Sequence, residues 1–297
     1  SSAASDVYKR QDETHTLPPI CRRRSKAALV TFPNNTGLGW DGVHPRALLR
    51  LPDEVLYRWI ALMLKCERLG VWPDSIGVVI IVLLAKTDGG WRPIGLLPHF
   101  VRTWMRVRRD VAVDWEAHCD RKYLYAGVGK GSTVAAWKQA ARAEIAAATD
   151  KQYAQSLLDL IKAFERVPYR VLRREASKLG YPLRMLRLTI AAYKLPRVLR
   201  VGDATSDIVF AIRGIVAGSG NATTEMRLGM ISILDEAIVA HPTVEPTLFV
   251  DDVSGEKDGE ADDIAEELGS FTWKVVQLIR ADDMDVSATK SLSLIHI

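Results

Sequence analysis

EPTLFVDDVSGE, residues 245–256, is the stretch on which the reading of this chain turns. An apolar run, Thr247-Leu248-Phe249-Val250, leads straight into two adjacent carboxylates, Asp251 and Asp252. Adjacent acids also stand at Asp262-Asp263 and Asp282-Asp283, so the doublet by itself says little. Its place at the end of a strand-like run says more. Burying such a strand with ionised carboxylates at its tip is costly unless a cation or hydrogen-bond donors offset the charge.

Upstream, YAQSLLDLIKAF (residues 153–164) repeats the arrangement, with Asp159 ending a second apolar strand. Two such strands side by side would bring Asp159 and Asp251 within reach of the same divalent ions. Carboxylates with few other protein ligands suit Mg²⁺, which prefers oxygen, keeps waters and is completed by substrate phosphates. Two ions roughly 4 Å apart activate an attacking hydroxyl and stabilise a departing pyrophosphate. The plainer alternative is that Asp159 caps a helix beginning at LIKAFERV. For Asp251-Asp252 it is a surface turn.

Around these strands the pattern is irregular. Arg46–Gly70 carries apolar residues at helical spacing and closes on a glycine before Pro73. Val78–Leu84 and Trp91–Leu97 flank AKTDGG, with Asp88-Gly89 as the hairpin turn. A helix is expected over Phe100–Cys119, and an Ala-rich one over Ser132–Asp150, entered through GVGKGST with Ser132 or Thr133 as its cap. That entry lacks the spacing of a phosphate loop. Basic helical segments run to Lys194, and short strands follow at Val198–Val201 and Ile208–Ile212. A glycine-rich bend then feeds a long helix ending near Pro242, and Asp262–Ile279 reads as an acidic-faced helix. The expectation is an α+β fold around an antiparallel sheet.

Composition narrows the class. With 297 residues, 48% hydrophobic and 26% charged, the chain can bury a sizeable core and is not a disordered segment. Its longest apolar run, near Gly77–Ala85, is too short to span a bilayer, so no membrane partner is expected. Three scattered cysteines form neither a disulfide framework nor a zinc pattern, and imply an intracellular protein, nuclear or cytoplasmic. The six histidines show no ligand spacing. The net charge of +4 is unevenly spread: residues 161–200 hold eleven Lys/Arg against two acids, and residues 245–285 hold thirteen acids against three bases. The basic block reads either as a footprint for a phosphate backbone or as solvated helix faces. The opening SSAASDVYKRQ and the closing LSLIHI resemble translated sequencing-adapter ends. Residues 1–11 and 292–297 are therefore expected to be non-native and the chain a fragment.

The motifs also carry a family resemblance. LLAKTDGGWRPIGLLP, LLDLIKAFERV, GSGNATTE, LFVDD and SATKS occur in the order of the finger and palm motifs of reverse transcriptases, and look like those of non-LTR and group-II-intron retroelement enzymes. GWDGVHPRALLRLPDEV resembles the region before the fingers, so the likeness spans about residues 34–291. It implies a right-hand polymerase, with an N-terminal extension and fingers over 12–130 and a palm with some finger elements over 131–291. The implied activity is RNA-directed DNA polymerisation, a nucleotidyl transfer onto a primer 3′-hydroxyl. Its partners would be an RNA template, a DNA primer and dNTPs, and its cofactor two Mg²⁺ ions, with Mn²⁺ as a substitute.

Residue by residue, the resemblance implies metal binding by Asp159, Asp251 and Asp252, with Asp251 the firmer of the pair, and a backbone carbonyl lent by Leu160. Phe164 matches the aromatic that clashes with a ribose 2′-hydroxyl and so selects deoxynucleotides. Lys86 and Arg92 match residues that grip the triphosphate, Arg92 with the geometry for bidentate bonds. Lys290 matches a lysine that protonates the leaving pyrophosphate. Gly218 opens the bend that lets template and nucleotide approach the backbone. The chain departs from the family in three places. Val216-Ala217-Gly218 replaces Pro-Gln-Gly, Glu165 stands where aspartate is common, and no primer grip or thumb follows Lys290. Two other functions stay open: an RNA-dependent RNA polymerase, and a catalytically inactive retroelement remnant that binds nucleic acid.

Overall fold

A computed structural model describes residues 17–87, 89–127 and 129–296. In chain order its elements are α1 (Arg22–Val30), α2 (Asp53–Leu69), β1 (Val79–Ala85), β2 (Trp91–Leu96), α3 (His99–Val107), α4 (Arg109–His118), α5 (Ser132–Ala148), β3 (Gln152–Leu158), α6 (Ala163–Arg166), α7 (Tyr169–Leu179), α8 (Leu183–Tyr193), β4 (Arg197–Val201), β5 (Ala204–Thr205), α9 (Ala222–Ala240), β6 (Glu245–Phe249), β7 (Asp252–Gly259), α10 (Ala261–Ala281) and β8 (Leu292–His296). The fold is α+β, as expected, with mostly antiparallel sheets. Among the described residues no helix is long and apolar enough to cross a membrane.

Two compact units share the chain. One holds the residues up to Trp115 together with Ala176–Ala222, and the other holds Glu116–Glu175 together with Thr223 onward. A later segment, Ala176–Ala222, thus returns to the first unit.

The first unit builds a sheet of order β2-β1-β4-β5, in which β1 runs antiparallel to β2 and parallel to β4. The bend at Val216–Gly218 seats against β2, where the Gly95 N–H donates to the Ala217 carbonyl at 2.6 Å. Gly218 takes φ 101°, and a Cβ there would stand 2.7 Å from the Gly95 carbonyl oxygen, so both backbone shape and space require glycine.

Several elements of this unit differ from expectation. The helix expected from Arg46 begins at Asp53, because Pro45–Arg50 forms a separate 3₁₀ turn and Pro52, with no N–H to donate, becomes the N-cap. It ends on Gly70 at φ 71°, as its sequence suggested. The helix expected over Phe100–Cys119 is two helices with Arg108 at the join. Arg108 turns inward, and its Nε and an Nη donate to the two carboxylate oxygens of buried Glu67 at 2.5 and 2.6 Å. Ile208–Ile212 is not a strand. Gly202 closes a tight hairpin that pairs β4 with β5, leaving only Val209 to bridge Arg197. Asp88 of the expected turn lies outside the described residues, as do residues 1–11.

In the second unit the sheet is antiparallel throughout, in the order β6-β7-β3-β8. The backbone of residues 292–296, set aside in sequence as a tail, pairs with β3 here. α10 buries Ile264, Leu268, Phe271, Val275 and Ile279, a stripe at helical spacing. It packs closely on β7 because Gly255 has no side chain: a Cβ there would stand 2.7 Å from the Phe271 ring. α5 is capped by Gly131 with no side-chain bond, so neither Ser132 nor Thr133 fills the expected role.

Candidate active site

The end of β3 meets the start of β7. Leu158 is registered opposite Val253, so one further step along the ladder sets Asp159 across from Asp252. Like charges directly opposite on adjacent strands repel. The effect is visible on Asp252, whose carboxyl is held above its ordinary value, first by burial of the group and then by the Asp159 charge. Both acids and Lys290 line one cavity of about 410 Å³, walled on one side by α5 and on the other by the sheet. On its wall Gln139 Nε2 donates to Ser254 Oγ at 2.9 Å.

Asp251 occupies the turn beside this cavity. Phe249 pairs with Asp252, which makes Val250-Asp251 a two-residue hairpin turn. Val250 carries it at φ 63°, a left-handed conformation that costs a β-branched residue dearly. Asp251 is half-buried there. The cavity wall itself takes Asp252, so the member of the pair that faces Asp159 is the one the sequence ranked second.

Beyond β3 the backbone is held from the other side. The Ser287 N–H donates to the Asp159 carbonyl at 2.8 Å, the Ile161 N–H to the Asp285 carbonyl at 2.9 Å, and the Asp159 N–H to Ser291 Oγ at 3.3 Å. These bonds flank the Leu160–Val286 bridge and leave the Leu160 carbonyl outside it. One turn of chain, Ser287–Ser291, interrupts the pairing with β8 and places Lys290 on the cavity wall. Lys162 follows at φ 48° and is itself the N-cap of α6, so Asp159 does not cap that helix. Phe164 sits half-buried in α6. Positive-φ residues thus lie close to both acids, and strain of this kind gathers at functional sites.

The lopsided charge also finds a structural account. Arg174 donates two parallel bonds, at 2.8 and 2.7 Å, to the Asp282 carboxylate, which is buried. Arg170 pairs with Asp283, and Arg166 lies 4.0 Å from Asp285. Part of the basic block therefore neutralises part of the acidic one.

The remaining expected residues belong to the first unit. Lys86 is exposed at the turn between β1 and β2, Arg92 is exposed on β2 opposite Leu84, and Gly218 lies in the bend. Neither Lys86 nor Arg92 makes an ion pair among the described residues. Gln139, Ser254 and Ser291 were not anticipated, because nothing in an Ala-rich helix or a Ser-containing strand marks them in sequence.

Among the described residues no three His, Cys, Asp or Glu side chains are grouped as a ready metal cage. Two facing carboxylates on one cavity nonetheless have the donor chemistry for Mg²⁺, an ion that keeps most of its waters, and such a cation would relieve their repulsion. The chain matches no family model, and no curated protein matches it.

Proposed function

We propose that the chain is a nucleotidyltransferase of the reverse transcriptase type, its second unit the palm of a right-hand polymerase and its first unit the source of finger elements. The observation that carries this reading is the cross-strand pair Asp159–Asp252, sharing a cavity with Lys290 beside the Asp251 turn. Asp159, Asp252 and Asp251 are the residues to hold Mg²⁺, with the Leu160 carbonyl, which points away from the Val286 bridge, as a further oxygen. When bound, the ions supply the charge that activates a primer 3′-hydroxyl and stabilises a leaving pyrophosphate.

The protein's own groups position and shield. Phe164, on the short helix after Asp159, limits room beside the sugar and so favours dNTPs. Lys290 is a proton donor for the leaving group from the cavity wall. Lys86 and Arg92, both exposed and without an ion pair among the described residues, are the groups proposed to take triphosphate oxygens. Such transfer is mostly a matter of positioning and electrostatics.

The test is extension of a DNA primer on an RNA template with dNTPs and Mg²⁺. Products should form with the wild type and disappear with Asp159→Asn and with Asp252→Asn. Undiminished extension by both variants overturns the reading. Template binding by the wild type without any metal-dependent extension supports a non-catalytic remnant instead.

A further inference from the structure

We propose a second site in the same unit, a lysine-lined cavity that binds the phosphates of a polyanion independently of the acid pair. The cavity measures about 500 Å³ and abuts a different face of α5 from the one that walls the acid cavity. Val134, Lys138 and Arg142 recur every four residues and share that face. Arg121, Lys122 and Lys130 complete the basic lining, against two acids, Asp120 and Glu245.

Existing ion pairs single out which cations are available. Arg121 is committed to Asp235 at 3.0 Å, Lys130 to Asp120, and Arg142 to Glu256 at 3.1 Å and Glu245 at 3.4 Å. Lys122 and Lys138 have no carboxylate partner among the described residues. Lys138 is steered by an aromatic face instead, its Nζ 5.1 Å from the centre of the Tyr125 ring. Lys122 and Lys138, which hold no ion pair among the described residues, therefore both line a concavity of ligand size, with paired cations around them. An anion there gains attraction without having to break a strong ion pair.

The lining also indicates which part of a ligand is held. Tyr125 is buried, so its ring cannot stack on a base, and the charged lining that remains is mostly cationic, which suits phosphate. Contacts of this type position a chain without reading its sequence. The shared chemistry is phosphate, whether in the backbone of single-stranded RNA or in a free polyphosphate.

The test uses the full chain in EDTA, so that it does not depend on the metal chemistry proposed above. A fluorescent oligouridylate and inorganic tripolyphosphate are titrated against the wild type, the double variant Lys122→Gln/Lys138→Gln, and Lys122→Arg/Lys138→Arg. For RNA, the dependence of log affinity on log salt should lose about 0.7 per lysine replaced by glutamine, and the arginine variant should retain the slope. Weakening of RNA alone assigns the site to a nucleic-acid backbone, and weakening of tripolyphosphate alone assigns it to a free polyphosphate. Unchanged affinity for both ligands in a double variant with wild-type unfolding temperature overturns the proposal, as does a wild type that binds neither.

Discussion

Asp159 and Asp252 face each other one step beyond the last registered pair of β3 and β7, Leu158 and Val253. The raised Asp252 carboxyl follows from that placement and fixes the sign of a stability effect. A carboxyl with a higher pKa folded than unfolded binds more protons in the folded state, so stability falls as pH rises from the unfolded value through the folded one. Asp252→Asn removes this loss. At pH 7 without divalent metal the variant should be more stable, by less than about 1 kcal/mol. The gain should vanish below the ordinary aspartate value of 3.8. Thermal unfolding across the acid range in EDTA measures both. A variant less stable than the wild type at pH 7 refutes the repulsion.

The same pair predicts a metal effect of opposite sense. A ligand that binds only the folded chain stabilises it by RT ln(1 + [L]/Kd), about 2.7 kcal/mol at a hundred times Kd. Titrating Mg²⁺ or Mn²⁺ should therefore raise the unfolding temperature of the wild type. Asp159→Asn and Asp252→Asn should each flatten the curve. Equal shifts in all three proteins would place the binding elsewhere.

Much of this was legible in sequence, and what was hidden has identifiable physical causes. The β1–β2 hairpin, the strand ending at Leu158 and the long helix before Pro242 follow directly from hydrophobic period and turn residues. What the pattern cannot contain is register. That Asp252 rather than Asp251 opposes Asp159 depends on a two-residue turn at Val250, a residue that turn statistics disfavour there. The strand expected at Ile208–Ile212 failed for a similar reason: its apolar composition was right, but Gly202 had already closed β4 onto β5. The pairing of Arg174 with Asp282 joins residues far apart in sequence, which no local pattern encodes.

Phe164 offers a prediction on selectivity. It sits half-buried on α6, a single turn entered through the positive-φ residue Lys162. Under the proposed function its ring limits the space beside the incoming sugar. Phe164→Ala should raise incorporation of ribonucleotides relative to deoxynucleotides by tenfold or more, about 1.4 kcal/mol of lost discrimination. The check is the ratio of kcat/KM for matched dNTP and NTP on one template. An unchanged ratio would leave Phe164 as a packing residue.

Val250 sets stability against function in the turn that presents both acids. A β-branched residue in the left-handed region costs about 1–2 kcal/mol, whereas glycine tolerates it and gives up about 0.5–1 kcal/mol in chain entropy. Val250→Gly should therefore leave the protein as stable as the wild type or more so, by up to about 1.5 kcal/mol. The same change frees the turn to sample other conformations, so Asp251 and Asp252 lose their fixed placement beside Asp159. Under the proposed function, primer extension should fall while the unfolding temperature holds or rises, and Mg²⁺ should raise that temperature less than in the wild type. If stability falls together with activity, the turn is a packing element and its backbone strain has no part in placing the acids.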